Sequence, residues 1–189
     1  MLKINFQMIQ FKDLELLREW RNSPRISKNM YNREYITKEK QENWFRGLEE
    51  DNTRRYFVCS IDNIPVGSLY FNSIQNESCE WGCYIGGDGV IPGVGLVLGA
   101  SALNYAFDTL KVKILKADVL SFNSSPQKMH KFFKYQDLGK CKSGIIRDGI
   151  ELEVNKYQYL QENWSDNKES VYKKIPTKIV ETINYVDFT

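Results

Sequence analysis

The single histidine of this 189-residue chain, His130, stands in "NSSPQKMHKFFKY" at 123–135. An imidazole titrates near neutral pH and moves protons in either direction, which gives a lone His a catalytic reading. A half-buried ring on a basic helix is the alternative. A second stretch with chemistry in it is "GGDGVIPGVGLVLGASALNYAF" at 86–107, a glycine loop that opens a long apolar helix. The first N–H groups of a helix lack backbone partners, and its dipole adds positive charge there. Glycines let an anion approach that backbone closely. Gly93-Val94-Gly95-Leu96 is therefore a candidate pyrophosphate cradle. No Lys-Ser/Thr follows the glycines, and the spacing is not GxGxxG, so neither a P-loop nor a Rossmann dinucleotide site fits. A tight turn with glycine-mediated helix packing is the other reading of the same residues.

The elements that must position these groups follow from periodicity and turn chemistry. Residues 3–10 alternate as a strand. Asp13 is placed to cap a helix carrying Leu14, Leu17 and Trp20, which Asn22-Ser23-Pro24 ends. Thr37 is a second cap, before the apolar face of Trp44, Phe45 and Leu48. Strands at 54–61 and 64–71 meet across Asp62-Asn63, a two-residue hairpin signal. A third strand, 78–85, is broken by Gly86, Gly87 and Gly89. The apolar helix is expected over 94–110 and the next strand over 112–120, with Leu115, Ala117 and Val119 on one face. Ser125-Pro126 starts a helix whose core face is Met129, Phe132 and Phe133. Strands at about 140–147 and 150–160 flank Asp148-Gly149, and a short helix is expected from Pro176 through Ile183. This order predicts the α/β class, with a mixed, mostly antiparallel sheet flanked by helices on both faces.

Composition bounds the function. The chain carries 26 Lys+Arg against 24 Asp+Glu, a net charge of +2. That balance gives no ground for nucleic-acid binding. The amino-terminal residues do not read as a secretory leader, and the apolar stretch at 90–107 is broken by Pro92, Gly93, Gly95, Gly99 and Asn104, so no membrane role is expected. Cys59, Cys79, Cys83 and Cys141 form no CxxC pair. They read as free thiols in a reducing cytoplasm rather than metal ligands.

The strand "SCEWGCYI", the loop and helix "PGVGLVLGASALNYAF", the strand "LKADVL" and then "NSSPQKMHKFFKY" resemble the GCN5-related N-acetyltransferase (GNAT) superfamily. Its six-residue acetyl-CoA signature, Gln/Arg-x-x-Gly-x-Gly/Ala, falls on Val90-Ile91-Pro92-Gly93-Val94-Gly95. Both glycines match and Val90 departs. Its Asn-led helix falls on Asn123, with Pro126 and Met129 in the small and Leu positions. His130 stands where the family often has tyrosine, and Lys134-Tyr135 where Gly-Phe is usual. Residues 16–45, 56–74 and 79–82 are similar to a narrower group, the N-acetyltransferases of pseudaminic acid biosynthesis. These acetylate the 4-amino group of a UDP-linked 4-amino-4,6-dideoxy sugar for surface glycans such as those of flagellin.

The resemblance implies direct attack of an amine on the thioester of acetyl-CoA, with no metal. It gives His130 the role of proton donor to the departing thiolate and makes Glu80 the candidate base, directly or through water. Tyr84, Ile85, Gly93, Val94, Gly95, Leu96 and Asn123 would hold acetyl-CoA. Trp20, Arg21, Met30 and Tyr31 would hold the UDP-amino sugar, with simple core packing the other reading of Trp20. The resemblance covers 1–160 as one acetyltransferase domain. Residues 161–189 are expected to be an extension of uncertain structure, a family-specific addition or an interface, with which a homodimer is compatible. An acetyltransferase for a protein N-terminus or another amine, and a silent acyl-CoA-binding module, are the rival readings.

Overall fold

A computed structural model describes residues 3–88, 90 and 92–189. In chain order the elements are β1 (Ile4–Met8), α1 (Leu14–Asn22), α2 (Pro24–Ser27), α3 (Lys38–Glu49), β2 (Arg55–Ile61), β3 (Ile64–Gln75) and β4 (Ser78–Ile85). They continue as α4 (Val94–Asn104), β5 (Ile114–Leu120), α5 (Ser124–Phe132), β6 (Gln136–Arg147), β7 (Ile150–Leu160), α6 (Gln161–Tyr172), α7 (Thr177–Asn184) and β8 (Asp187–Phe188). One sheet orders the strands β6-β7-β5-β4-β3-β2-β1-β8. Only β4–β5 and β1–β8 are parallel. The mixed α/β fold expected from the sequence is the one observed.

Turn chemistry sets the hairpins. Asp62 and Asn63 both have positive φ (49° and 67°), as do Asp148 and Gly149 (52° and 77°). That is the type I′ geometry whose twist suits two-residue hairpins. Thr37 caps α3 as expected, its Oγ1 accepting from the Lys40 N–H at 3.2 Å. Asp13 does not cap α1 through its side chain. Its carboxylate instead accepts from the Gln10 N–H at 2.8 Å, closing a 3₁₀ turn that precedes the helix.

The period-two strands bury both faces of the sheet. Val58, Tyr56 and Tyr84 pack under α1 and α3 with Leu14, Leu17, Trp20 and Phe45. On the other face Phe57, Leu69, Phe71 and Trp81 join α4 and the later helices in the larger core. The expected helix over 94–110 is α-helical only to Asn104. A π turn, Tyr105–Thr109, completes it, with the Leu110 N–H donating to the Tyr105 carbonyl at 2.9 Å. The Tyr105 ring packs against Phe57, Phe71 and Phe188 there.

Other elements differ in extent from those expected or add to them. β3 runs on to Gln75, β5 begins at Ile114, and β6 begins at Gln136. Pro24 starts a short helix, α2, where the sequence shows only a stop. Residues 161–189 form α6, α7 and the edge strand β8, and Trp164, Val171, Ile175 and Ile183 enter the main core. The helix expected from Pro176 through Ile183 is α7.

β8 pairs with β1, and the Phe188 ring stacks on Phe6 at 4.6 Å between centroids and meets Tyr105 at 4.4 Å. Phe188→Ala should therefore cost about 2–3 kcal/mol, the range for a packed aromatic ring that keeps some exposure. Urea unfolding followed by circular dichroism checks this, and an unchanged midpoint would show that β8 is a passive addition.

Candidate active site

β4 and β5 pair over only three residues, Ser78–Ile114, Cys79–Leu115 and Glu80–Lys116. Beyond Glu80, β4 stays with β3, while β5 follows β7 from Ala117–Tyr157 to Leu120–Val154. The two strands part. A cleft of about 750 Å³ fills the gap, lined by residues 81–85 of β4 and 117–120 of β5. Tyr84 belongs to the core under α1 and α3, whereas Cys83, Ile85, Leu96 and Met129 border the opposite core. The cleft thus reaches both faces of the sheet.

The glycine loop meets it where α4 begins. Gly93 has φ +96°, and a Cβ there would come within 2.9 Å of Ile179 Cδ1 on α7. Its carbonyl accepts from Leu96 N–H (2.9 Å) and Val97 N–H (3.2 Å). A Cβ on Gly95 would meet nothing within 4 Å, because that position opens on the cleft. Gly93, Gly95, Leu96, Tyr84, Ile85 and Asn123 all line the cavity. Val94 does not. Its side chain is buried in the core, so it has only its backbone to offer a ligand. Val90 is half-buried against the same core, while Gly89 and Ile91 lie outside the described residues. The open Gly95 position above a helix start fits the pyrophosphate of a coenzyme A thioester.

His130 lines the cleft and is 3% exposed. It is part of the buried surface of α5. Its ring stacks on Tyr157 at 4.7 Å and 5° and meets the Tyr135 ring edge-on at 4.6 Å. Burial pushes its pKa down from 6.5 to about 4, a fall only partly opposed by the bond to Pro126. Nδ1 lies 2.7 Å from the Pro126 carbonyl, an acceptor, so Nδ1 must carry the hydrogen. Nε2 is then a bare lone pair, buried and without a partner among the described residues. At neutral pH Nε2 of this His is an acceptor.

Glu80 is exposed at the end of the β4–β5 seam, outside the cleft lining but close enough that its charge acts on Tyr31. Asp118 lines the cavity instead, with Lys156 Nζ 2.7 Å from its Oδ2. Burial, then the charges of Asp118 and Glu80, keep the Tyr31 phenol protonated well above its ordinary range. Met30 and Tyr31 line the cleft as expected, but Trp20 and Arg21 do not. The Trp20 ring fills the space above Gly86, where a Cβ would stand 2.0 Å from it, and packs edge-on against Tyr84. Arg21 is close enough to Tyr70 and Tyr84, which line the cleft, for its charge to offset partly the rise that burial causes in both phenols.

Sequence reasoning missed Arg25, Asn29, Tyr70, Trp81, Asp118 and Lys128, which all line the cleft. Two signals were present. The alternation that turns Leu115, Ala117 and Val119 inward turns Asp118 the other way. Pro24 marks a helix start that carries Arg25 at the cleft.

Gly95→Val should weaken acetyl-CoA binding roughly tenfold or more, since 1.4 kcal/mol of lost contact suffices, and should leave the melting temperature unchanged. Gly93→Ala should destabilise the fold itself through its φ and Ile179. Calorimetric titration and thermal melts separate the two, and full affinity in Gly95→Val would remove the cradle. His130 makes a second prediction. Its folded pKa lies below the unfolded value, so its stabilising contribution is complete above pH 6.5 and is lost as pH falls from 6.5 towards 4. The loss is about 3 kcal/mol at 1.36 kcal/mol per pH unit. His130→Gln should flatten that part of the stability–pH curve, and an equal slope in both proteins would contradict the buried neutral ring.

Comparison with known proteins agrees with this geometry. Residues 3–133 match the family model of the acetyltransferase (GNAT) domain. Two Campylobacter jejuni proteins named acetyltransferase PseH are 34% and 35% identical over 131 residues, 69% of this chain and 82% of theirs. The crystal structure of Campylobacter jejuni N-acetyltransferase PseH superposes with a TM-score of 0.63 at 23% identity, over 85% of this chain and 98% of that one. Spermidine N-acetyltransferase from Vibrio cholerae, in complex with CoA and spermine, superposes with a TM-score of 0.80 at 18% identity, over 86% and 98%. The chain belongs to the GNAT family and is an N-acetyltransferase that uses acetyl-CoA.

Proposed function

We propose that the chain acetylates the 4-amino group of a UDP-linked 4-amino-4,6-dideoxy sugar, by direct attack in a ternary complex, in pseudaminic acid biosynthesis in the cytoplasm. The observation that carries this reading is the cleft that reaches both faces of the sheet between β4 and β5. Acetyl-CoA supplies a thioester carbonyl and a thiolate leaving group, and its place is the α4–α5 side. The acceptor enters from the side of Met30, Tyr31 and Tyr70. Holding both reactants in one cleft supplies up to ~7–11 kcal/mol in well-oriented systems.

The lining suits a nucleotide sugar. Met30, Tyr31 and Tyr84 offer apolar faces to a deoxy-sugar methyl or a base. Among the described lining residues the one carboxylate is Asp118, while Arg25 and Lys128 are cations. A diphosphate is matched by cations; a polyamine calls for several carboxylates. The likeness of residues 16–45, 56–74 and 79–82 to the pseudaminic acid enzymes and the identity to the Campylobacter proteins support the same reading.

Proton handling follows from the residues present. Asp118 orients the amine. His130 Nε2 takes the proton that the amine sheds as the N–C bond forms, then gives it to the sulfur as the C–S bond breaks. A buried imidazolium of low pKa is a strong acid toward a thiolate, so a ring that rests neutral serves both steps.

In a thiol-release assay the chain should turn over the UDP-amino sugar and leave spermidine untouched, and the reverse pattern would overturn the assignment. His130→Ala should lower kcat by roughly 10²–10⁴-fold with an unchanged Kd for acetyl-CoA. Near-normal turnover would take His130 out of the chemistry.

A further inference from the structure

The acceptor side of the cleft is walled by residues 24–31, α2 and the irregular chain after it, which spans the gap that β4 and β5 leave open. This segment is tied to each lip by one arginine. At the β4 lip, Arg25 Nη2 donates to the Gly86 carbonyl at 2.6 Å and reaches Gly87 O and Asp88 Oδ1 at 3.4 Å. At the other lip the tie comes from the hairpin. Arg147, the last residue of β6, donates from Nη1 to the Lys28 carbonyl at 3.1 Å. Its Nη2 donates to the Met30 carbonyl at 2.5 Å and to the Tyr31 carbonyl at 3.4 Å. The guanidinium also lies 6.0 Å from the Phe122 ring centroid. These three carbonyls lie beyond the end of α2, where no helix or sheet ladder takes them up.

We propose that Arg147 is a positioning residue for the acceptor, fixing where Met30 and Tyr31 stand in the cleft without touching the substrate. The assignment rests on the acceptor side given under the proposed function. A guanidinium is suited to it because a planar fork reaches several carbonyls at once, whereas an ammonium is a single point donor. Acetyl-CoA is assigned to α4 and α5, and Arg147 meets that side through the Phe122 ring, while its hydrogen bonds go to the acceptor wall. Loss of Arg147 therefore acts chiefly on the acceptor, and the long β6–β7 hairpin contributes to acceptor selection through this one side chain.

The experiment compares the full chain with Arg147→Met, Arg147→Lys and, as a control on the same hairpin, Ile146→Thr, a residue 74% exposed. Steady-state kinetics use whichever amine the unmodified chain acetylates, so that failure of the sugar assignment and failure of this proposal are read separately. Arg147→Met should raise the acceptor KM about tenfold or more, as loss of charged hydrogen bonds predicts. Arg147→Lys should raise it less. For both, kcat and the acetyl-CoA Kd should stay within about twofold of the unmodified chain. Hydrogen exchange of the substrate-free chain should speed up over residues 28–31 in Arg147→Met and not in Ile146→Thr. An unchanged acceptor KM, an equal weakening of acetyl-CoA binding, or unaltered exchange over 28–31 would each overturn the proposal. If Arg147→Met proves unstable by circular dichroism, the Arg147→Lys KM and exchange decide it.

Discussion

The constraint on which the molecule depends is the brevity of one strand pairing. β4 and β5 share three residue pairs and then diverge, each held by its neighbour on the far side. A sheet tolerates such a split because neither strand loses more than one of its two ladders. The peptide groups along the split that faced the missing partner are left without a ladder, and buried backbone groups require partners. The gap is therefore a place where an extended ligand can bond to main chain. It also breaches the sheet, so two reactants can approach from opposite faces.

Packing around the gap decides the state of its one imidazole. Trp81, Tyr135 and Tyr157 surround His130 and keep water from it, and this loss of hydration is what disfavours the cation. The Pro126 carbonyl then selects the tautomer. The tautomer is set within α5 itself, and the burial is not. The caging rings belong to β4, the turn after α5, and β7. The sequence marks Met129, Phe132 and Phe133 as the inward face. In the fold, Phe133 and His130 are buried, while Met129 and Phe132 stay half-buried at the cleft.

Local signals carried most of the fold. Asp62-Asn63 and Asp148-Gly149 specify hairpins because few residues accept positive φ, and Thr37 starts a helix by a contact three residues away. The glycine loop was legible for the same reason. What stayed hidden depends on distant partners. α6 shows only Trp164 and Val171 as buried residues in twelve, too sparse a stripe to signal an amphipathic helix. The two-residue β8 exists only because β1 has an open edge. Glu80 is near the loop in sequence, and in the fold it stands at the end of the seam, where its charge still reaches Tyr31. Trp20 lies near the acceptor side in sequence but packs over Gly86, which leaves room for the indole.

The pairing of β1 with β8 joins Asn5 to Asp187, and Ile179 of α7 stands against Gly93 at the start of α4. Contacts of such sequence separation form late, since a long loop must close before they are rewarded. The coenzyme loop therefore gains its rigid backing only after β1, β2 and α4 have assembled and the carboxy-terminal helix has docked. Catalytic competence in this chain should be among the last properties to appear during folding, well after most of its secondary structure has formed.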